Sequence, residues 1–191
     1  MIVSETADST EYPALEAEAD IPVITSEGKS NVKIAGVKSK NKLVRYTIPE
    51  TLLRADENFL ALMVEAEKYI GYPYVYGGSK PSTGFDCSGF VCWVFRQSGV
   101  YDTGRLGAKG LYSLCTDVSR DEARPGDLVF FTKTMGADVK GITHVGIYVG
   151  NDMMLHAGDP VGFADLQSDK WAKKIYAFGR LPVQQGAQAD E

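Results

Sequence analysis

Histidine is scarce in this chain, with two residues among 191, His144 and His156. Cysteine is nearly as scarce: three residues, an odd number that leaves at least one without a partner inside the chain. Positive charge is not in excess. The 20 Lys and Arg face 25 Asp and Glu, a net charge of -5, which argues against a nucleic-acid partner because that role needs a basic stripe. No apolar run reaches the roughly 18 residues that a membrane-spanning helix needs. Met1 is followed by Ser4, Glu5, Asp8 and Glu11 rather than by a basic stretch and an apolar block, so no signal peptide is visible. Internal repeats are absent, as is the CxxC or HxxxH spacing that accompanies many zinc sites. What remains is a chain with 44% hydrophobic residues, enough to bury the core of one domain.

Residues 1–54 are expected to be a flexible segment, first acidic and then basic. Glu5, Asp8, Glu11, Glu16, Glu18, Asp20 and Glu27 face one base, Lys29, without apolar periodicity. Lys33, Lys38, Lys40, Lys42 and Arg45 follow. A solvated linker is the favoured reading of that run, and contact with an anionic surface such as a cell-wall polymer is the rival. The folded domain is expected over 55–183, with a disordered tail over 184–191. Asp56 can cap a helix that buries Phe59, Leu60, Met63, Val64 and Ile70, with Gly71 ending it. A second helix starts at Asp86 or Cys87 and carries Phe90, Val91, Val94 and Phe95. Tyr101 to Arg124 reads as irregular. Strands are expected over Leu128–Thr132, His144–Val149, Met153–Ala157 and Ile175–Leu181. Two helices followed by an antiparallel meander make an α+β pattern.

Cys87 stands at a predicted helix start, where unpaired N–H groups and a partial positive charge favour a thiolate and can hold an oxyanion. His144 and His156 fall on neighbouring strands. With a turn centred near Gly150 they come directly opposite each other on one face, about 5 Å apart at Cβ. One imidazole can then take the thiol proton while the other orients it, and spacing alone does not say which is which. Cys92 and Cys115 read as small core hydrophobes, and Cys92 lies roughly 140° around the helix from Cys87. Zinc held by Cys-His-His is the rival reading of the same three residues.

Five blocks carry a resemblance: Pro73-Tyr74-Val75-Tyr76-Gly77-Gly78, Gly84-Phe85-Asp86-Cys87-Ser88-Gly89-Phe90, Pro125-Gly126-Asp127-Leu128-Val129-Phe130-Phe131, His144-Val145-Gly146-Ile147-Tyr148-Val149-Gly150 and Leu155-His156-Ala157. In this order, over residues 57 to 182, they resemble the NlpC/P60 family of bacterial cell-wall cysteine peptidases. The resemblance implies a papain-like core and a Cys-His-His triad with Cys87 as nucleophile, His144 as base and His156 as orienter. It also implies Tyr74 as a hydroxyl donor near the oxyanion, and Asp86 and Ser88 lining the amino end of the substrate. The implied reaction is hydrolysis of the peptidoglycan stem peptide after D-glutamate, at its γ-linked bond, without metal or organic cofactor. Action outside the membrane or in the cell wall, with further domains upstream, follows from the same likeness to the catalytic domains of conjugative-element and phage wall hydrolases. Three alternatives share the fold: an N-acetylmuramoyl-L-alanine amidase, a lipid-directed acyl transferase and a catalytically silent wall-binding module.

Overall fold

The computed structural model describes residues 20–185. Its elements in chain order are β1 (Lys33–Ile34), β2 (Val37–Lys38), α1 (Glu50–Arg54), α2 (Glu57–Glu67), β3 (Ser79–Lys80), β4 (Gly84–Phe85), α3 (Cys87–Gln97), α4 (Ala108–Leu114), β5 (Thr116–Val118), β6 (Leu128–Thr132), β7 (Ile142–Gly150), β8 (Met153–Ala157), β9 (Val161–Asp165) and β10 (Ile175–Arg180). The last six strands form one antiparallel sheet in the order β5-β10-β6-β7-β8-β9. This is an α+β papain-like architecture, with α3 laid against the sheet.

Two aspartates start the main helices. Asp56 Oδ1 accepts the Phe59 amide at 2.9 Å and Asp86 Oδ1 accepts the Gly89 amide at 2.7 Å, each satisfying an N–H that the first turn leaves free. In α2 the buried apolar positions are Phe59, Leu62, Met63 and Ala66, so the stripe is turned from the expected one and Val64 lies exposed. Strand alternation makes two layers of apolar contact. Leu128, Phe130, Val145, Ile147 and Leu155 share a core with Phe90, Val91 and Val94 of α3, while Val129, Phe131, Met154 and Phe178 cluster with Trp171 on the other side. The stretch expected to be irregular over 101–124 contains α4 and β5, and the sheet gains an edge strand, β9, beyond β8.

The expectation of a flexible segment over 1–54 is corrected from residue 20 onward; residues 1–19 lie outside the described residues, as do 186–191 of the expected tail. Residues 20–48 form a strap across the domain. Ile24 and Ile48 are buried in the main core, Thr25 bridges Thr47, the Val32 amide donates to Gly71 O at 3.0 Å, and Asn41 Nδ2 donates to Asp159 O at 2.8 Å. The anchors are single residues docked by tertiary contacts, so no helical or strand period announces them. Pro182–Gln185 closes the described chain as a 3-10 turn that crosses the expected boundary at 183, so the expected disordered tail is corrected at 184–185. Ile48→Ala should therefore destabilise the protein by about 2–5 kcal/mol, the usual cost of emptying a core position. Denaturant unfolding checks this; a change under about 0.5 kcal/mol would mean the strap is not part of the folding unit.

Candidate active site

Cys87 opens α3 and is buried. Its placement is local in origin: β4 delivers Phe85, the Asp86 carboxylate caps the helix, and Cys87 is the first helical residue. Tyr74 is tied to the same strand, bridging Phe85, with the Val75 amide donating to Phe85 O at 2.9 Å. Tyr74 is half-buried beside Cys87 and Asp86. Burial and these two neighbours push its hydroxyl up to about 12, so it remains a proton donor throughout the neutral range. Tyr76 is 80% exposed and points away from any core.

The histidines meet, but not by direct opposition. The β7–β8 turn is Asn151-Asp152, both at positive φ (52° and 55°), with a bulge at Gly150. The register pairs Ile147 with Leu155 and Tyr148 with Met154, so His156 falls opposite Gly146 and diagonal to His144. Both histidines keep the same face, because the register differs from the expected one by two residues. Diagonal neighbours are within reach of long side chains, and His144 Nε2 lies 2.7 Å from His156 Nδ1 with the rings 83° apart. Glycines make the room: a Cβ on Gly146 would stand 3.1 Å from His156 Cβ, and one on Gly158 would stand 3.0 Å from His156 Nε2. Trp171 covers the pair, stacked on His144 at 5.2 Å and edge-on to His156 at 5.0 Å.

The electrostatics favour neutral groups. Burial lowers the pKa of His144, and the Lys170 ammonium adds to the effect. His156 is lowered by burial, by His144 and by Lys170. Burial raises the Cys87 thiol, as does the Asp86 carboxylate, while the backbone N–H groups of Val145, Ser88 and Cys87 itself pull it down. The N–H environment expected at the helix start is present, but desolvation outweighs it. The Val145 amide that faces the sulfur belongs to the residue after His144, which ties the thiol to the β7 end of the histidine pair. Since His144 Nε2 is engaged by His156, Nδ1 is its remaining nitrogen. The tautomer with a proton on Nε2 donates to His156 Nδ1 and leaves Nδ1 of His144 free as a base. A thiol, a neutral base oriented by a second imidazole, and a phenolic donor can together carry out acyl transfer.

Asp86 and Ser88 are already occupied. Arg105 Nη2 donates to both Asp86 carboxylate oxygens at 3.1 and 3.0 Å, and its Nη1 donates to Ser88 Oγ at 2.9 Å. Asp86 also accepts the Gly77 amide at 3.1 Å. A guanidinium therefore stands where the resemblance implied a substrate ammonium. Arg105, Trp171 and Lys170 were not legible as site residues: each is brought in from far along the chain, and none lies in a motif around the nucleophile. Among the described residues, no group of three or more His, Cys, Asp or Glu is arranged to hold a metal ion. No helix there is long and apolar enough to cross a membrane.

The NlpC/P60 family model matches residues 71–180. Among curated proteins, the chain is 46% identical over 121 residues to the bifunctional muramidase/DL-endopeptidase CwlT of Bacillus subtilis (strain 168), covering 63% of this chain and 36% of that protein. It is 41% identical over 120 residues to the gamma-DL-glutamyl hydrolase of the same organism, covering 61% of this chain and 28% of that protein. The chain thus spans roughly a third of these relatives' length. Among solved structures, a lipoprotein-like NLP/P60 family protein from Staphylococcus aureus subsp. aureus Mu50 superimposes with a TM-score of 0.62 at 41% identity, over 66% of this chain and 42% of that one.

Proposed function

Because the chain belongs to the NlpC/P60 family, we propose that it is a cysteine endopeptidase of peptidoglycan that cuts the peptide stem after D-glutamate, at the γ-linked bond. The observation that carries this reading is the 2.7 Å His144–His156 bond beside a cysteine at a helix start. The relatives named as a DL-endopeptidase and a gamma-DL-glutamyl hydrolase support the choice of bond. The site of action is the wall, outside the membrane.

In this mechanism His144 Nδ1 takes the proton from Cys87 Sγ as the sulfur attacks the carbonyl carbon. The electron pair of the C=O bond moves onto oxygen, which Tyr74 and the α3 N–H groups stabilise. The tetrahedral intermediate collapses with loss of the C–N bond. His144 returns its proton to the leaving amine and a thioester remains. Water, deprotonated by His144, then hydrolyses the thioester and restores the thiol. His156 holds the imidazole tautomer and its direction throughout. The resting pair is a neutral thiol and a neutral imidazole, so charge separation develops only as the substrate reacts.

Asp86 and Ser88 line the amino side of the cleft through Arg105. Their carboxylate is balanced by a guanidinium, so a free substrate amine has little to gain there. A stem peptide whose first residue is still acylated, as in intact peptidoglycan, fits this arrangement. Free and N-acetylated L-Ala-γ-D-Glu-diamino acid peptides should then be cut at rates within about threefold of each other, since no net charge pair is lost. Mass spectrometry of the products tests both statements. A tenfold preference for the free amine would restore direct amine recognition. Release of intact stems from sugar, without a cut after D-glutamate, would favour the amidase.

A further inference from the structure

The strap carries a basic pocket that adjoins a second pocket walled by His156 and Trp171. Lys38, Lys42 and Arg45 line a pocket of about 490 Å³ together with Ser30 and Asn31, and Glu27 is its one carboxylate. Lys29 also borders it but is held by Glu67 at 3.2 Å. Among the described residues Lys38, Lys42 and Arg45 form no ion pair, in a chain whose net charge is -5. A second pocket, of about 450 Å³, has His156 and Trp171 in its wall and shares Lys42 and Leu43 with the first. Asn41 anchors the strap to Asp159, and Leu43 lies over Gly162, where a Cβ would come within 2.9 Å of it. The two pockets adjoin at Lys42 and Leu43, and the outer one is lined by residues outside 71–180, the span that matches the family.

We propose that the strap forms a substrate subsite in which Lys38, Lys42 and Arg45 receive a carboxylate of the peptide whose scissile bond lies in the cleft. The inference rests on the peptidase reading for the identity of the ligand. Unpaired cations at the rim of a cleft draw an oxyanion by charge and charge-assisted hydrogen bonds. Adjacency to the pocket that has His156 in its wall favours a group on the reacting peptide over a separate polymer. In the inner pocket Asp159 and Asp165 face Lys42 and Lys170, so its charges balance, whereas in the outer pocket the cations outnumber the one carboxylate.

The test uses the full chain and a set of γ-D-glutamyl stem peptides in which each carboxylate is converted in turn to a carboxamide. For one member KM should rise about tenfold with little change in kcat, the worth of one charge-assisted contact. Lys42→Gln combined with Arg45→Gln should erase that difference, and Lys140→Gln, outside both pockets, should preserve it. A second arm measures binding of the same peptides to Cys87→Ala by calorimetry, and it reads the subsite even if no peptide is hydrolysed. The same carboxylate should dominate in both arms, and its effect should weaken with salt. Equal affinity across the set, or a carboxylate preference that survives the double substitution, would overturn the subsite. So would binding that appears only with phosphate-bearing wall polymer. Absence of hydrolysis with carboxylate-dependent binding intact would count against the peptidase reading alone.

Discussion

Replacing Cys87 by alanine is expected to abolish peptide hydrolysis while leaving a folded protein. Losing the nucleophile removes the covalent step altogether, and comparable deletions in other enzymes cost on the order of 10⁴ or more in rate. The fold should hardly notice. The helix is started by the Asp86 carboxylate rather than by the thiol, and the change removes one buried sulfur, at a cost of about 1 kcal/mol. Cys92 and Cys115 provide the contrast. Cys92 Sγ donates to Leu106 O at 3.6 Å and Cys115 Sγ to Leu111 O at 3.3 Å, away from the histidines, so their alanine variants should keep most of the activity. Alkylation of Cys87 should accelerate as pH rises, because burial and Asp86 hold its pKa above the ordinary value and the thiolate is the reactive form. Equal hydrolysis by wild type and Cys87→Ala, with unfolding curves superimposed, would remove Cys87 from the mechanism.

Substitution at the two histidines should give unequal losses. In the proposed mechanism His144→Ala removes the base and should approach the Cys87→Ala level. In His156→Gln the amide oxygen can still accept from His144 Nε2, so activity should fall about 10–100-fold and no further. The reverse ranking would exchange their roles. The same pair makes an acid-labile element. Both pKa values are lowered by burial, so the folded protein holds both rings neutral below pH 6.5 while the unfolded chain protonates them. Stability is therefore full above about pH 6.5. It declines as pH falls below that value, because the unfolded chain takes up protons that the buried rings do not. His156→Gln should flatten this slope between pH 6 and 4, as measured by chemical denaturation. An unchanged slope would show that the buried histidines do not carry it. For the same reason the acid limb of hydrolysis should lie well below pH 6.5.

Features decided within a few residues were legible in the sequence. Asp56 and Asp86 bond to amides three positions on, so the starts of α2 and α3 follow from local chemistry. The limits of β6 and β8 follow from the turn residues that precede them, Pro125-Gly126-Asp127 and Gly150-Asn151-Asp152, and they agree with the expected Leu128–Thr132 and Met153–Ala157. The shared face of His144 and His156 is a matter of parity, and a register shift of two residues left it intact. The resemblance to a known family rested on these same short blocks.

Whatever joins distant parts of the chain was decided by the tertiary structure alone. The diagonal histidine bond depends on a bulge at Gly150 and a left-handed turn at Asn151-Asp152, which together moved the hairpin centre. Arg105 reaches Asp86 across 19 residues and changes what that carboxylate can recognise. Trp171 arrives from beyond β9 to cover both imidazoles. The strap looked like a solvated linker because its charged residues dominate its composition, yet Ile24 and Ile48 find a core assembled from remote elements. Local hydrogen bonds and periodicity are written into neighbouring residues. Burial, charge pairing and the neutral state of the site depend on which distant surfaces meet, and only folding brings those surfaces together.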